Sequence, residues 1–73
     1  MQTIEFELNG DYAELYKILK FEGLADSGAS AKQCVADGLV RVNGDTETRK
    51  RRKIVAGDRI EFMDHNIQVK GEA

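Results

Sequence analysis

Gly38-Leu39-Val40-Arg41-Val42-Asn43-Gly44 decides the fold, because the hydrophobic period changes inside it. Val40 and Val42 recur every second residue with Leu39 and Arg41 on the opposite side, as a half-buried strand requires. Asn43-Gly44 follows at once, a pair that readily takes the two left-handed backbone positions of a tight hairpin turn. Gly38 stands where a preceding helix needs a residue of positive φ in order to stop. The stretch therefore reads as helix end, strand and hairpin turn in succession.

Upstream, Ser27 can accept from the free amides of a helix start, and the helix it opens would turn Ala31, Cys34 and Val35 inward. Before it, Asp11 and Glu14 have capping-box spacing, and Tyr12, Leu15, Tyr16 and Leu19 recur at i, i+3, i+4 and i+7. That pattern predicts an amphipathic helix from residue 11 to near Gly23. Earlier still, Ile4, Phe6 and Leu8 alternate with Thr3, Glu5 and Glu7 as a strand broken by Asn9-Gly10. Downstream of the hairpin the chain returns through Thr46-Glu47-Thr48, and apolar character resumes at Ile54 and Val55. Gly57-Asp58 turns it into a strand carrying Ile60 and Phe62. Asp64-His65-Asn66 turns it again into Ile67 and Val69, and Gly71-Glu72-Ala73 reads as a fraying tail. Two short helices amid short strands make an α+β domain, and no repeat or linker divides residues 1–73.

A chain of 73 residues has room for one domain with a thin core, burying about 60% of the surface its unfolded chain exposes. A deep catalytic cleft does not fit in it. With 41% hydrophobic and 33% charged residues and neither proline nor tryptophan, the composition suits a folded domain rather than a disordered one. Cys34 is the single cysteine, so no internal disulfide can form, which points to a reducing, cytoplasmic setting. Residues 1–5 carry no basic region leading into an apolar run, and the chain is expected to have neither a signal peptide nor a membrane span.

The net charge of −2 conceals a segregation. Residues 1–31 hold two basic and six acidic side chains, residues 32–59 eight and four, and residues 60–73 one and three. The positive segment centres on Arg49-Lys50-Arg51-Arg52-Lys53, flanked by Arg41 and Arg59. Arginine offers a planar fork of donors matched to phosphate oxygens and lysine a mobile point charge, so a mixed run suits a backbone polyanion. Lys32, in the first turns of the second helix, can extend that patch. A solvated charged loop is the plainer reading of such a run when it is taken alone.

Other residues carry less. His65 has no second histidine or cysteine at ligand spacing, so no metal site is expected. Cys34 reads as a small core hydrophobe, and Glu5, Glu7 and Glu14 as solvated faces and a cap, which leaves no acid–base pair or nucleophile. Tyr12 and Tyr16, four apart on the expected helix, read as packing rather than a platform for bases. Aromatic-rich strands of the RRM type, a GxxG loop of the KH type, and the Walker and dinucleotide glycine patterns are all missing. A ubiquitin-like carrier would end in Gly-Gly, where this sequence reads Lys70-Gly71-Glu72-Ala73. The chain is expected to be no enzyme and to need no cofactor.

Ser27-Gly28-Ala29-Ser30-Ala31-Lys32, the stretch from Gly38 to Gly44, and Ala56-Gly57-Asp58-Arg59-Ile60 together resemble the RNA-binding domain named after ribosomal small-subunit protein four. The likeness runs over about residues 15–62. Leu15-Tyr16-Lys17-Ile18-Leu19-Lys20, Asp26-Ser27-Gly28 and Glu47-Thr48-Arg49-Lys50-Arg51 make it similar to the stand-alone bacterial YbcJ type in particular, over nearly the whole chain. The resemblance implies a small αL-type RNA-binding motif, with two helices packed on a small, bent, mainly antiparallel sheet. It implies a grip on structured RNA, such as rRNA or tRNA, by basic residues of the second helix and adjoining loops, and Lys32 falls on a matching basic position. Gly28 departs from the arginine common there in the wider family. The expected RNA-binding set is Lys32, Arg41, Arg49, Lys50, Arg51, Arg52 and Lys53. The expected setting is a monomer working with the ribosome or an RNA-modifying enzyme. A protein-interaction adaptor whose basic stripe docks on an acidic partner is the rival reading, and duplex DNA could also satisfy a phosphate-reading stripe.

Overall fold

In the computed structural model, which describes residues 2–71, the chain runs β1 (Gln2–Glu7), β2 (Ala13–Glu14), α1 (Leu15–Phe21), α2 (Gly28–Ala36), β3 (Val40–Val42), β4 (Asp45–Thr46), β5 (Lys53–Ile54), β6 (Arg59–Phe62) and β7 (His65–Lys70). Glu72 and Ala73 of the expected tail lie outside the described residues. Five strands form one sheet in the order β1-β7-β6-β3-β4, and β2 pairs with β5 in a second, two-stranded sheet. All pairings are antiparallel except β1 with β7, where Gln2 faces His65 and Phe6 faces Val69. The sheet is thus mainly antiparallel and carries two helices, as expected.

The local determinants act as the sequence suggests. Ser27 is extended at φ −154° and its Oγ accepts the Ser30 N–H at 3.1 Å, which caps α2. At the other end Gly38 adopts φ +78°, its N–H donating to the Val35 carbonyl while the Leu39 N–H reaches Cys34. Asn43 and Gly44 take φ 54° and 89°, the two left-handed positions of a primed hairpin turn. The Asn43 side chain also donates to Asp58 Oδ1 at 3.0 Å and accepts the Arg59 N–H at 2.9 Å. This pins the β3–β4 turn to the start of β6.

Alternation supplies the core. Val40 and Val42 of β3, Ile60 and Phe62 of β6, and Ile67 and Val69 of β7 are buried, together with Leu15, Ile18 and Leu19 of α1 and Ala31 and Val35 of α2. Cys34 is only partly buried and packs at the rim of this cluster. His65, expected in a turn, opens β7, and the tight turn before it is made at Met63 with φ 55°.

The first helix departs from expectation. It begins at Leu15 rather than at residue 11, and its N-cap, Glu14, makes no side-chain cap bond. Ala13 and Glu14 are instead drawn into pairing with Ile54 and Lys53. A capping box offers only a local bond or two, and here a non-local strand pairing that also buries Ile54 wins. Tyr12 is thereby left outside the helix and 47% exposed.

Gly28, the first residue of α2, has a right-handed backbone, and a Cβ there would meet the Tyr16 ring at 3.7 Å, an ordinary contact. Gly28→Ala is therefore expected to stabilise the protein by about 0.5 kcal/mol, chiefly by restricting the unfolded chain. Urea denaturation checks this, and a loss of stability would mean that the α1–α2 junction is tighter than the contact distance indicates.

Candidate functional site

Residues 49–53 leave β4 through Glu47 and pass beneath the N-terminal end of α1. The Leu15 N–H donates to the Arg52 carbonyl at 3.0 Å and the Tyr16 N–H to the Lys50 carbonyl at 3.2 Å. Two of the amides that a helix start leaves open are thus closed by the backbone of the basic run. The run is no free loop; its path is fixed by the helix it serves.

Glu47 fixes its side chains. This carboxylate is 6% exposed, its own N–H bound to the Val40 carbonyl. It accepts from the Arg49 N–H at 3.0 Å, from Arg49 Nε at 3.0 Å and Nη2 at 3.1 Å, and from Arg52 Nη1 at 2.6 Å. The hydrogen bond from the Arg49 side chain is the chief reason that the Glu47 carboxyl titrates at about 2 rather than 4.5, outweighing the burial that opposes ionisation. Glu14 plays a similar part at the rim, its carboxylate 3.0 Å from Lys17 Nζ and 3.8 Å from Arg51 Nε. The hydrogen bond to Glu14 raises the Lys17 pKa above its ordinary value.

The expected binding residues fall into two places. Arg49, Arg51, Arg52 and Lys53 line one open recess. Lys50 lies within the same turn, its side chain exposed. Lys32 reaches the neighbourhood through Tyr16, with its Nζ 4.8 Å from the ring centroid of the residue whose amide binds Lys50. Arg41 stands apart: it projects from the outer face of β3, opposite Thr46 and Glu61, into a shallow depression shared with Leu39 and Met63. Alternation along β3 sends it away from the face that buries Val40 and Val42.

Sequence reasoning passed over four neighbours of this recess. Glu47 reads as part of a polar hairpin return, and its only cue is the arginines two and five residues later. Lys17 is three residues beyond Glu14, a spacing that pairs the two once the helix is placed. Tyr16 carries the Lys32 ammonium and, at 6.0 Å, that of Lys17, while Tyr12 carries Lys53 at 5.0 Å. Among the described residues no group of three or more His, Cys, Asp or Glu side chains could hold a metal ion. No described helix is long and apolar enough to cross a membrane.

Two helices on a small mixed sheet, with cations gathered where the first helix begins, define a small α+β module of the binding-domain class. The chain belongs to the S4 domain family, which it matches over residues 6–70. It is 52% identical over 58 residues to YbcJ of Escherichia coli (strain K12), a protein provisionally named as RNA-binding, the match covering 80% of this chain and 83% of that one. The identity to YbcJ of Shigella flexneri is the same over the same length. The solution structure of YbcJ from E. coli, described as revealing an αL motif involved in RNA-binding, is similar at a TM-score of 0.67. Its sequence identity is 46%, with 96% of this chain and 87% of that chain covered. The family and the YbcJ-type branch read from the sequence are borne out.

Because the folded Glu47 carboxyl titrates at about 2 and the ordinary group at 4.5, the unfolded chain binds more protons between these values, and stability rises with pH across them. The contribution is complete above about pH 4.5 and is lost as pH falls towards about 2. Arg49 is 73% exposed, so solvent screening brings the contribution to about 2 kcal/mol. Glu47→Gln is expected to remove that much at pH 7 and to flatten the acid limb of the stability curve, as read by urea denaturation from pH 7 downward. An acid limb that stays as steep as that of the parent would assign the titration to another group.

Proposed function

We propose that the domain binds structured RNA without catalysing a reaction, through a basic face made by Lys32, Lys50, Arg51, Lys53 and the outward edges of Arg49 and Arg52. The observation that carries this reading is the recess in which Glu47 holds two arginines in place beside further exposed cations. An arginine has five N–H donors, and those not spent on Glu47 remain available for phosphate oxygens. Membership of the S4 domain family and the RNA-binding description attached to YbcJ support RNA as the polyanion.

Recognition on this reading rests on shape and backbone phosphate. A-form RNA hides the major-groove edges of its bases in a deep, narrow groove and exposes phosphates and 2′-hydroxyls, and a set of fixed cations reads spacing rather than sequence. Ribosomal or transfer RNA in the cytoplasm is the natural source of such a target, with the ribosome or an RNA-modifying enzyme as the larger setting and the protein acting as a monomer. Arg41, on the outer face of the sheet, is left out of this proposed face.

The test measures binding to a paired RNA hairpin, a DNA duplex and a polyphosphate control across a salt series, with Lys50→Ala/Arg51→Ala/Lys53→Ala beside the parent. These three positions are chosen because none of them is bonded to Glu47. The parent is expected to prefer RNA, with log K falling against log salt at a slope of about −3.5 to −4.5 for five net positive charges, Arg49 and Arg52 counting as one beside Glu47. The triple variant should reduce the slope to about −2. Absence of binding even at low salt would overturn the reading. A protein partner captured equally well in the presence of RNA would make the basic face a docking surface instead.

A further inference from the structure

Tyr12 differs from the other aromatic side chains in where it stands. Phe21 is exposed but packs edge-on against Phe6 at 5.6 Å between ring centroids, and the two help line a separate pocket. Tyr16 is half-buried, with Lys32 over its ring and Gly28 close against its edge. Tyr12 is 47% exposed, outside any helix, and its ring lies 5.0 Å from the Nζ of Lys53, one of the four side chains lining the cationic recess.

We propose that Tyr12 is a base-stacking residue, so that the RNA held by the recess carries an unpaired nucleotide, a bulge or a strand end, beside its paired stem. The inference rests on the RNA reading above and narrows the class of RNA. In continuous duplex each base is covered above and below by its neighbours, and only an unpaired base can present a face to an external ring. Such a base stacks on any exposed aromatic side chain with little regard to sequence, while nearby cations hold its phosphate.

The local backbone makes Tyr12 suitable for this. The next two residues are paired in register with β5, Ala13 with Ile54 and Glu14 with Lys53, so residue 12 is tied to the strand that ends the basic run. The ring and the ammonium of Lys53 are therefore held within reach of each other. Their mutual contact is an exposed cation–π interaction, weak enough to be exchanged when a nucleotide offers both a base for the ring and a phosphate for the lysine. Had Tyr12 continued α1, it would belong to the helix surface rather than to the rim of the recess.

The experiment compares a fully paired RNA hairpin, its loop replaced by a non-nucleotide linker, with the same hairpin carrying two unpaired adenosines in its stem. Affinities are measured by fluorescence anisotropy for the parent, Tyr12→Phe, Tyr12→Leu and Tyr12→Ala, with thermal melts confirming that each variant is folded. The parent and Tyr12→Phe are expected to favour the bulged hairpin. Tyr12→Leu and Tyr12→Ala should lose roughly ten-fold on the bulged hairpin, down to the level of the paired one, and change little on the paired one. Equal losses on both hairpins, or none on either, would overturn the stacking role while leaving RNA binding intact. If the parent binds neither hairpin better than polyphosphate, the RNA reading falls and this inference with it.

Discussion

The first turn of α1 has no capping side chain of its own, and it closes its amides on the carbonyls of Arg52 and Lys50. Helix and basic run thus form one unit. A buried amide left without a partner costs about 1–3 kcal/mol, so the helix cannot start at Leu15 unless the run lies where it does. The arrangement has an electrostatic drawback, because the positive end of a helix faces a crowd of cations. Glu14 and Glu47 offset it, each bonded to cationic side chains of the site.

How much of this could be read beforehand depended on distance along the chain. Both ends of α2, the hairpin at Asn43-Gly44 and the strands around Ile60 and Val69 follow from residues that act on their immediate neighbours: a serine cap, left-handed residues, a two-residue period. The start of α1 did not follow, because Asp11 and Glu14 offer a plausible local cap that loses to the pairing of Ala13 and Glu14 with residues near 54. The same limit hid the parallel pairing of β1 with β7, which joins the two ends of the described chain.

For the candidate site the charges were legible and their organisation was not. Five consecutive basic residues are conspicuous in an acidic chain, yet the residue that arranges them, Glu47, sits between two threonines and has the look of a solvated loop acid. Its burial comes from the fold, since its N–H is held by the Val40 carbonyl and its carboxylate is covered by the arginines it binds. Arg41 shows the converse. It lies near the run in sequence, but the alternation of β3 turns it to the face opposite the buried Val40 and Val42, away from the recess that the run lines.

Glu47 lowers the charge of the site and still suits it to binding. Two arginines sharing one carboxylate carry a single net positive charge between them, so the field over the recess is weaker than a count of basic residues suggests. What is gained is order. A long side chain immobilised on binding costs about 0.5–1.5 kcal/mol, and Arg49 and Arg52 have already met that cost in folding, through bonds to a buried group. Lys50 keeps its reach, and Arg49 and Arg52 supply a fixed template. A domain with so thin a core can present a rigid polar surface only by building it from residues that also hold the fold, and residues 47–54 do both.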